Sequence, residues 1–254
     1  MEQIALRPVL AYINKKMLFK VQWQYRRGQL DADAYARFVR DEVEPIYRAL
    51  VEQAARERIL EPKAVYGYWP CAADGDSLIV FDPEDRDREL CRFDFPRQRK
   101  EPYWCLSDFF RPIDSGETDV VAMSVVTVGA RATEEAARWL REDRYRDYLH
   151  LHGLGVESAE ALAEYLHKQI RAELGVVQAD ALEIPRLLQQ RYQGSRYSFG
   201  YPACPRLEDQ LKLWPLLRPE RIGVTISEEF QLDPEQSTSA LVCHHPEARY
   251  FNAR

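Results

Sequence analysis

The segment Arg191–Pro205 combines residue types that suit ligand binding. It reads RYQGSRYSFGYPACP and holds two arginines, four aromatic residues, two glycines and two prolines. Gly200 permits backbone conformations that are closed to other residues, and the prolines stiffen the chain that follows it. The guanidinium of Arg196 is suited to hold a carboxylate through two parallel hydrogen bonds. Composition alone leaves an aromatic-packed surface loop as an equal alternative.

Other reactive side chains lack the partners that their chemistry requires. The pair His150-x-His152 and the run Cys243–His245 have the residue types of metal ligands, but a closed zinc site needs about four ligands and no partner cluster is visible. Cys204 lies in a Pro-Ala-Cys-Pro turn with no identifiable base, so it is interpreted as a small buried thiol. Dinucleotide, P-loop, zinc-protease and nucleophile-elbow motifs are absent. We therefore expect neither a metal site nor a catalytic side chain.

Length, charge and cysteine content limit the class of protein. The chain has 254 residues, a formal net charge of −6 and five scattered cysteines. A negative chain does not suit general nucleic-acid binding, which requires a basic face. Unpaired cysteines are typical of a reducing compartment, and neither a signal peptide nor an apolar run of about 20 residues is visible. The sequence predicts a single soluble, cytoplasmic domain that binds neither nucleic acid nor membrane.

Helical spacing is expected in the N-terminal segment, about residues 1–60. A helix is predicted from about Ala34 to Leu60, with apolar residues at helical intervals. Asp31 or Asp33 is the expected N-cap. Pro45 should kink this helix or restart it as a first-turn residue.

The remainder of the chain mixes strands and helices. Strands are predicted at Ala64–Trp69, Leu78–Phe81, Leu90–Phe95, Val120–Val128, Ile222–Ile226 and Ser239–Cys243. Helices are predicted at Ala132–Tyr148, Val156–Leu174, Ala181–Tyr192 and Leu207–Leu217. Thr133, with Glu134 and Glu135 after it, is the expected cap of the first of these helices. Because strands and helices do not alternate strictly, an α+β domain around an antiparallel sheet fits better than a doubly wound parallel sheet.

The motif at Arg196 is specific enough to indicate a family. Arg196 is followed by three residues and then by Gly-Tyr-Pro-Ala-Cys-Pro at Gly200–Pro205. This pattern resembles the C-terminal activation domain of vitamin B12-dependent methionine synthase. Further resemblances to that family, in the same order along the chain, are VYGYWP at Val65–Pro70, FDFPRQR at Phe93–Arg99, LSDFF at Leu106–Phe110 with DSG at Asp114–Gly116, ALAEYLH at Ala161–His167 and HPEARYF at His245–Phe251. The resemblance extends from about residue 10 to the end.

The resemblance implies a fold and an activity. The expected fold is α+β, a single C-shaped domain over residues 1–254 built around a twisted antiparallel β-sheet with flanking helices. Such a domain binds S-adenosylmethionine in a shallow groove and docks on the cobalamin-binding domain of methionine synthase, so the cobalamin is bound by that partner. It supports reductive re-methylation of inactive cob(II)alamin to methylcobalamin, with an electron from flavodoxin or an equivalent reductase.

The resemblance also implies the ligand-binding residues. Arg196 is expected to hold the methionine carboxylate of S-adenosylmethionine. Tyr201 stands where the family places a tyrosine beside the ligand and the corrin ring. Tyr250 matches the family's ligand-binding tyrosine near the C-terminus, and Phe251 matches the aromatic residue after it. No catalytic residue is expected, because a sulfonium leaves as a neutral thioether and the protein needs only to position the reactants.

Two further positions are less regular. Glu160 matches a glutamate that faces the ligand and could accept from the methionine ammonium, with a solvated helix face as the alternative. Asn14 stands after Tyr12 and Ile13, where the family often has a ligand-contacting aspartate. Asparagine accepts a hydrogen bond but carries no charge. Lys15 and its neighbour Lys16 are a second departure from the family pattern.

Several alternatives stay open. Asn14 leaves room for a non-catalytic docking module of a corrinoid domain, and the chain could also activate another corrinoid methyltransferase. It lacks the cobalamin-ligating Asp-x-His-x-x-Gly motif, so it is either an excised module or a free-standing activator, and Met1 fits both. Arg97, Arg99 and Lys100 are candidate contacts for an acidic reductase, or simply a solubilising charge run.

Overall fold

The computed structural model describes residues 4–253, so the expected domain limits, Met1 and Arg254, lie outside the described residues. The N-terminal segment is helical, as predicted. Its helices are α1 Leu6–Leu10, α2 Lys15–Met17, α3 Ala32–Phe38 and α4 Glu44–Arg56, with π-helical turns at Leu18–Gln22 and Val39–Val43.

Helices α3 and α4, joined by the second π-helical turn, form the long helix predicted in this segment. Asp31 is its N-cap, because its carboxylate accepts a hydrogen bond from the backbone N–H of Ala34 at 2.7 Å. Pro45 lies in the first turn of α4, where a missing N–H is tolerated. The helix ends at Arg56, earlier than predicted, because Arg58 turns the chain with φ +53°.

Eight strands lie in the described part of the chain. They are β1 Lys63–Asp74, β2 Ser77–Phe81, β3 Glu89–Asp94, β4 Asp119–Thr127, β5 Ser195–Ser198, β6 Thr225–Ile226, β7 Leu232–Asp233 and β8 Ser237–Cys243. Six form one antiparallel sheet in the order β3-β2-β1-β4-β8-β5, and β6 pairs with β7. The first four predicted strands and the last are confirmed. The prediction at Ile222–Ile226 is wrong over most of its length, because Ile222 ends a 3₁₀ turn and Gly223 has φ +78°.

Edge strand β5 is not predicted from the sequence. It lies inside the glycine- and proline-rich segment that the sequence presents as a loop. Its backbone hydrogen bonds come from pairing with β8, where Arg196 lies opposite Val242 and Tyr197 opposite Leu241. Four residues carry too little pattern to reveal a strand whose partner lies far away in the sequence.

The helices after β4 are α5 Ala130–Arg141, α6 Tyr145–Glu173, α7 Ile184–Leu187 and α8 Trp214–Leu217. The prediction of one helix as far as Tyr148 is wrong, because the chain turns at Asp143 with φ +58° and a new helix begins at Tyr145. Thr133 is not the cap of α5. Its hydroxyl donates to the Gln236 side chain, and Gly129 is the N-cap.

The first half of α6 was not predicted as part of this helix, because it contains Gly153 and Gly155 and glycine lowers helix propensity. A Cβ on Gly153 would lie 2.8 Å from Cβ of Gln22 and 2.9 Å from Cδ1 of Trp23. A Cβ on Gly155 would lie 2.9 Å from Cγ of Gln236. The glycines therefore allow the N-terminal segment and the chain before β8 to approach α6 closely.

The predictions of the last two helices are wrong in extent for one and in helix type for the other. Ala181–Tyr192 is α-helical only in α7, and Leu207–Leu217 is a 3₁₀ helix until α8 begins. Both short α-helices carry proline in the first turn, Pro185 and Pro215. Because proline has no N–H to donate to the carbonyl four residues earlier, α-helical hydrogen bonding does not extend upstream of either position.

The main sheet separates two apolar cores. Along β4, Ala122 and Val126 face the core formed with the helices, whereas Val121, Met123 and Val125 face the core on the opposite side. This central strand is buried on both faces, which explains its nearly continuous run of apolar residues. The expected α+β architecture with an antiparallel sheet and flanking helices is confirmed. Within residues 4–253, no helix combines the length and apolar content required to cross a membrane.

Candidate functional site

A cavity of ≈ 380 Å³ lies where α6 meets the N-terminal segment, strand β5 and the loop before β5. Helix α6 supplies one wall, which includes three glutamates. Tyr12 lies on the side of the N-terminal segment, and Tyr192 lies on the side of the loop. A concave site of this size, on which polar groups converge, is typical of small-molecule binding.

The three glutamates face the cavity because residues spaced three and four apart lie on one side of a helix. Glu157 and Glu164 are only 6% and 8% exposed, whereas the Glu160 side chain is 42% exposed. Burial raises the pKa of Glu157 to about 7. The charge of Glu160 adds to this increase, and a hydrogen bond with Gln22 reduces it. Burial also raises the pKa of Glu164. Two acids of this wall, Glu157 and Glu164, therefore hold their protons more tightly than an exposed glutamate does.

Arg196 reaches the same cavity from strand β5. Because side chains alternate along a strand, Tyr197 enters the core on the opposite face of the sheet while Arg196 faces the helices. Its Nη2 donates to Oε2 of Glu160 at 3.3 Å, and its buried Nη1 has no hydrogen-bond partner within residues 4–253. Burial opposes its charge, but Glu160 and Glu164 outweigh burial and raise the pKa of Arg196. Arg196 is thus a charged donor with an unused N–H group.

A second arginine stabilises the cavity from behind. Arg171 is 1% exposed and donates from Nε and Nη2 to the two carboxylate oxygens of Asp180, at 2.9 and 2.8 Å. Its guanidinium carbon lies 3.9 Å from the ring centre of Tyr192, a cation–π contact. Its Nη1 is 3.9 Å from Oε1 of Glu164, too far for a hydrogen bond. That oxygen has no hydrogen-bond partner in the described chain, so it can accept one from a ligand.

The Gly-Tyr-Pro-Ala-Cys-Pro motif forms a closed turn beside the cavity. The N–H of Gly200 donates to the carbonyl of Cys204 at 2.8 Å, and the N–H of Cys204 donates to that of Tyr201 at 2.9 Å. Gly200 has φ +87°, and a Cβ there would lie 2.8 Å from Cδ2 of Leu207, so the turn requires glycine. Tyr201 is left 51% exposed on the cavity lining. The interpretation of Cys204 as a buried thiol is confirmed, and burial raises its pKa.

Asn14 also lines the cavity, but part of its hydrogen-bonding capacity is already used. Its Oδ1 accepts from the backbone N–H of Met17 at 3.2 Å, which makes Asn14 the N-cap of α2. The amide nitrogen and one further lone pair stay available for a ligand. The structure therefore brings together Asn14, Glu160, Arg196 and Tyr201 of the six predicted site residues.

Known proteins are similar to this chain in sequence and in fold. Residues 5–254 match the family model of the activation domain of vitamin B12 dependent methionine synthase. The chain belongs to this family. It is 41% identical to the methionine synthase of Mycobacterium tuberculosis (strain ATCC 25618 / H37Rv) and 40% identical to that of Mycobacterium leprae (strain TN), over 98% of its own length in both cases. The activation domain spans 22% of the length of each of these relatives.

A solved structure supports the same assignment. The crystal structure of the MetH reactivation domain bound to AdoHcy matches this activation domain with a TM-score of 0.87 and 27% sequence identity. The match covers 99% of this chain and 79% of that chain. The six-stranded antiparallel sheet with flanking helices is therefore the fold of the reactivation domain.

Two predicted ligand residues of this activation domain do not line the cavity. Tyr250 is 41% exposed and lies near Tyr201 at the rim of the cavity. The charge of Glu160, burial and this neighbouring tyrosine raise the pKa of Tyr201. Phe251 is 5% exposed and packs edge-on against Trp104, with ring centres 5.9 Å apart, in the core on the opposite face of the sheet. Their roles in ligand binding stay predictions.

The histidines noted in the sequence have local partners. Nε2 of His150 lies 3.0 Å from the hydroxyl of Tyr25, and Nε2 of His244 lies 2.8 Å from Oδ1 of Asp119. These contacts give both histidines structural roles. In the part of the chain that the structure describes, no three His, Cys, Asp or Glu side chains are placed to hold a metal ion.

Most residues that line the cavity were not predicted from the sequence. Those with a titratable side chain are Tyr12, Glu157, Glu164 and Tyr192. A signal for the two glutamates was available, because with Glu160 they repeat at helical spacing on one face of α6. Each tyrosine lies close to a predicted site residue, Tyr12 two residues before Asn14 and Tyr192 four residues before Arg196. An aromatic residue by itself does not reveal whether it lines a cavity or a core.

The basic run at Arg97–Lys100 is partly neutralised. Nη1 and Nη2 of Arg97 each donate to a carboxylate oxygen of Asp108 at 2.7 Å, and Nε donates to Asp76 at 2.8 Å. Arg97 is therefore paired with acidic residues of its own chain. The expected contact with a reductase then depends on Arg99 and Lys100.

Proposed function

We propose that the cavity binds S-adenosylmethionine and that the domain uses it to support reductive re-methylation of cob(II)alamin in methionine synthase. The observation that carries the proposal is Arg196, a cation whose side chain is only 15% exposed and whose buried Nη1 has no partner within residues 4–253. Buried donors are nearly always satisfied in native proteins, so this one is explained by a ligand acceptor. The relative solved with AdoHcy bound supports the choice of ligand.

The cavity offers complementary groups for the methionine part of this ligand. The free N–H of Arg196 is suited to the carboxylate, and the carboxylates of Glu160 and Glu164 are suited to the ammonium. The single contact between Arg196 and Glu160, at 3.3 Å, is weak enough for a ligand to rearrange. Tyr201, half exposed beside the cavity, is placed to contact both the ligand and a docked corrin ring.

The chemical task of the domain is positioning. The cobalamin of a docked partner domain supplies the cobalt that accepts the methyl group. The sulfonium departs as a neutral thioether, so no general acid or base is required from this chain. What its residues must do is hold the carboxylate and the ammonium, orient the methyl group towards the open side and exclude water.

The wider setting follows from the same proposal. The chain acts as one domain over residues 1–254, with the cobalamin-binding domain of methionine synthase as its partner and flavodoxin or an equivalent reductase as the electron source. A cytoplasmic location fits its five free cysteines, four of them buried. Nucleic acid and membranes play no part in this reaction.

Isothermal titration calorimetry with S-adenosylmethionine tests the proposal. We expect one-to-one binding that weakens about 30- to 150-fold in Arg196→Ala, because a charge-assisted hydrogen bond contributes about 2–3 kcal/mol. Arg191→Ala is the matched control, since Arg191 is exposed in the same segment and does not line the cavity. Equal affinities in wild type and Arg196→Ala would exclude the carboxylate role.

The non-catalytic docking module is the second candidate. It is favoured by the engagement of the Asn14 oxygen in capping α2. It predicts no binding of S-adenosylmethionine, with or without the cobalamin-binding domain. If S-adenosylmethionine does bind, co-purification with the cobalamin domain of methionine synthase, rather than with another corrinoid protein, separates the main proposal from activation of a different methyltransferase.

A further inference from the structure

The cavity wall holds more carboxyl groups than its own cation can pair with. Glu157, Glu160 and Glu164 share it with one guanidinium, that of Arg196. Arg171 lies behind the wall, but Asp180 neutralises it through two hydrogen bonds at 2.9 and 2.8 Å. This excess of carboxylate favours a ligand with net positive charge.

Two buried hydrogen-bonding atoms of the charged wall have no partner within residues 4–253 and are available to a ligand. Oε1 of Glu164 and Nη1 of Arg196 are both buried, and neither has a hydrogen-bond partner within residues 4–253. Glu164 is only 8% exposed. Buried polar atoms without partners are rare unless a bound molecule satisfies them.

We propose that Glu157 makes the cavity selective for S-adenosylmethionine over its demethylated product, S-adenosylhomocysteine; this inference rests on the proposed function. Two of the three glutamates lie close to an arginine: Glu160 is 3.3 Å from Arg196 and Glu164 is 3.9 Å from Arg171. Glu157 has no ion pair in the described structure and is only 6% exposed. Its carboxylate therefore gains most from a cationic ligand.

The two ligands differ by one charge at the sulfur. Methyl transfer breaks the S–CH₃ bond and leaves its electron pair on sulfur, so the sulfonium becomes a neutral thioether. Both ligands carry one ammonium and one carboxylate, whose charges cancel. The sulfonium gives S-adenosylmethionine a net charge of +1, whereas S-adenosylhomocysteine has a net charge of 0. An ionised Glu157 attracts the first and gains nothing from the second, which favours release of the spent product.

The groups that face Glu157 support this assignment. From the N-terminal segment it is faced by Gln22, which is neutral, and from its own helix by Glu160, which adds negative charge. The titratable groups that share the cavity are Tyr12, Glu160, Glu164, Tyr192, Arg196 and Tyr201. The pKa values of the three tyrosines are raised, so they are uncharged near neutral pH.

The size of the selectivity follows from the charges. Two unit charges about 6 Å apart, at an effective dielectric constant of about 20, change an equilibrium about 100-fold. Because Glu157 is only partly ionised near its pKa of about 7, and the cavity is open to solvent, we expect a contribution of about tenfold. Binding of the cation should complete that ionisation, so it should also release a proton.

Calorimetry with both ligands on wild type, Glu157→Gln and Glu134→Gln tests the inference. Glu134 is exposed on α5 and does not line the cavity, which makes it the matched control. We expect the affinity ratio of S-adenosylmethionine to S-adenosylhomocysteine to fall about tenfold in Glu157→Gln and to stay unchanged in Glu134→Gln. We also expect the ratio to rise several-fold from pH 6 to pH 8 in wild type and less in Glu157→Gln, since the comparison cancels titration of the ligands.

Two outcomes separate this inference from the proposed function. If wild type binds neither ligand, both are overturned. If it binds S-adenosylmethionine, but Glu157→Gln keeps the wild-type ratio within twofold at every pH, only the selectivity role is overturned. Glu157→Ala provides a second neutral variant in case the amide disturbs folding. Heats measured in buffers of different ionisation enthalpy give an independent readout, in which wild type should release about half a proton more than the variant at pH 7.

Discussion

Replacing Glu157 with glutamine should stabilise the protein at alkaline pH. Its carboxylate lies in the wall of the cavity, 6% exposed and without an ion pair in the described structure. Its pKa is about 7 against a usual 4.5. Since one pKa unit corresponds to about 1.4 kcal/mol, its ionisation destabilises the fold by up to about 3 kcal/mol.

The sign follows from proton linkage. The folded protein holds the Glu157 proton more tightly than the unfolded chain does, so stability is greatest at low pH and falls as pH rises from about 4.5 to about 7. At pH 8 the difference between Glu157→Gln and wild type should approach about 3 kcal/mol, and at pH 5 it should shrink to about 1 kcal/mol.

Urea denaturation at pH 5, 6, 7 and 8, without ligand, measures this difference directly. Glu134→Gln should follow wild type at every pH, because its exposed carboxylate does not share the cavity. A constant difference between Glu157→Gln and wild type across this range would refute the reasoning, because it would show that folding does not perturb the carboxylate. A gain in stability together with a loss of ligand selectivity would be a direct trade of stability for function.

Two further substitutions test residues that hold the cavity walls in place. Asp180→Ala should destabilise the fold by about 3–5 kcal/mol, because it leaves the buried charge of Arg171 without its bidentate partner. Urea denaturation measures this change in stability, and a loss below about 1 kcal/mol would contradict the prediction. Gly194→Ala should destabilise by about 2–4 kcal/mol, because Gly194 has φ +86° and a Cβ there would lie 2.5 Å from the carbonyl oxygen of Cys243; an unchanged thermal midpoint would show that the β5 edge tolerates the side chain.

Local signals predicted those elements in which one sequence pattern is sufficient. β4 was predicted because both of its faces are buried, so its apolar run is nearly continuous. The N-cap was narrowed to Asp31 or Asp33, and the structure selects Asp31, because N-capping depends on the cap side chain and the next three residues. Helix α6 was predicted only in its second half, since the reason for Gly153 and Gly155 lies in Trp23 and other segments remote in sequence.

By itself, the sequence determined the family, the α+β architecture and four residues of the cavity. This was possible because the turn after Arg196 is built from consecutive residues, and Gly200 and the prolines have geometric requirements that show in the sequence. Only the tertiary structure decided that Arg196 has an unused donor, that Phe251 lies in the opposite core and that Glu157 faces the cavity without a cation. Burial and charge balance depend on which remote segments meet, and no local pattern records that.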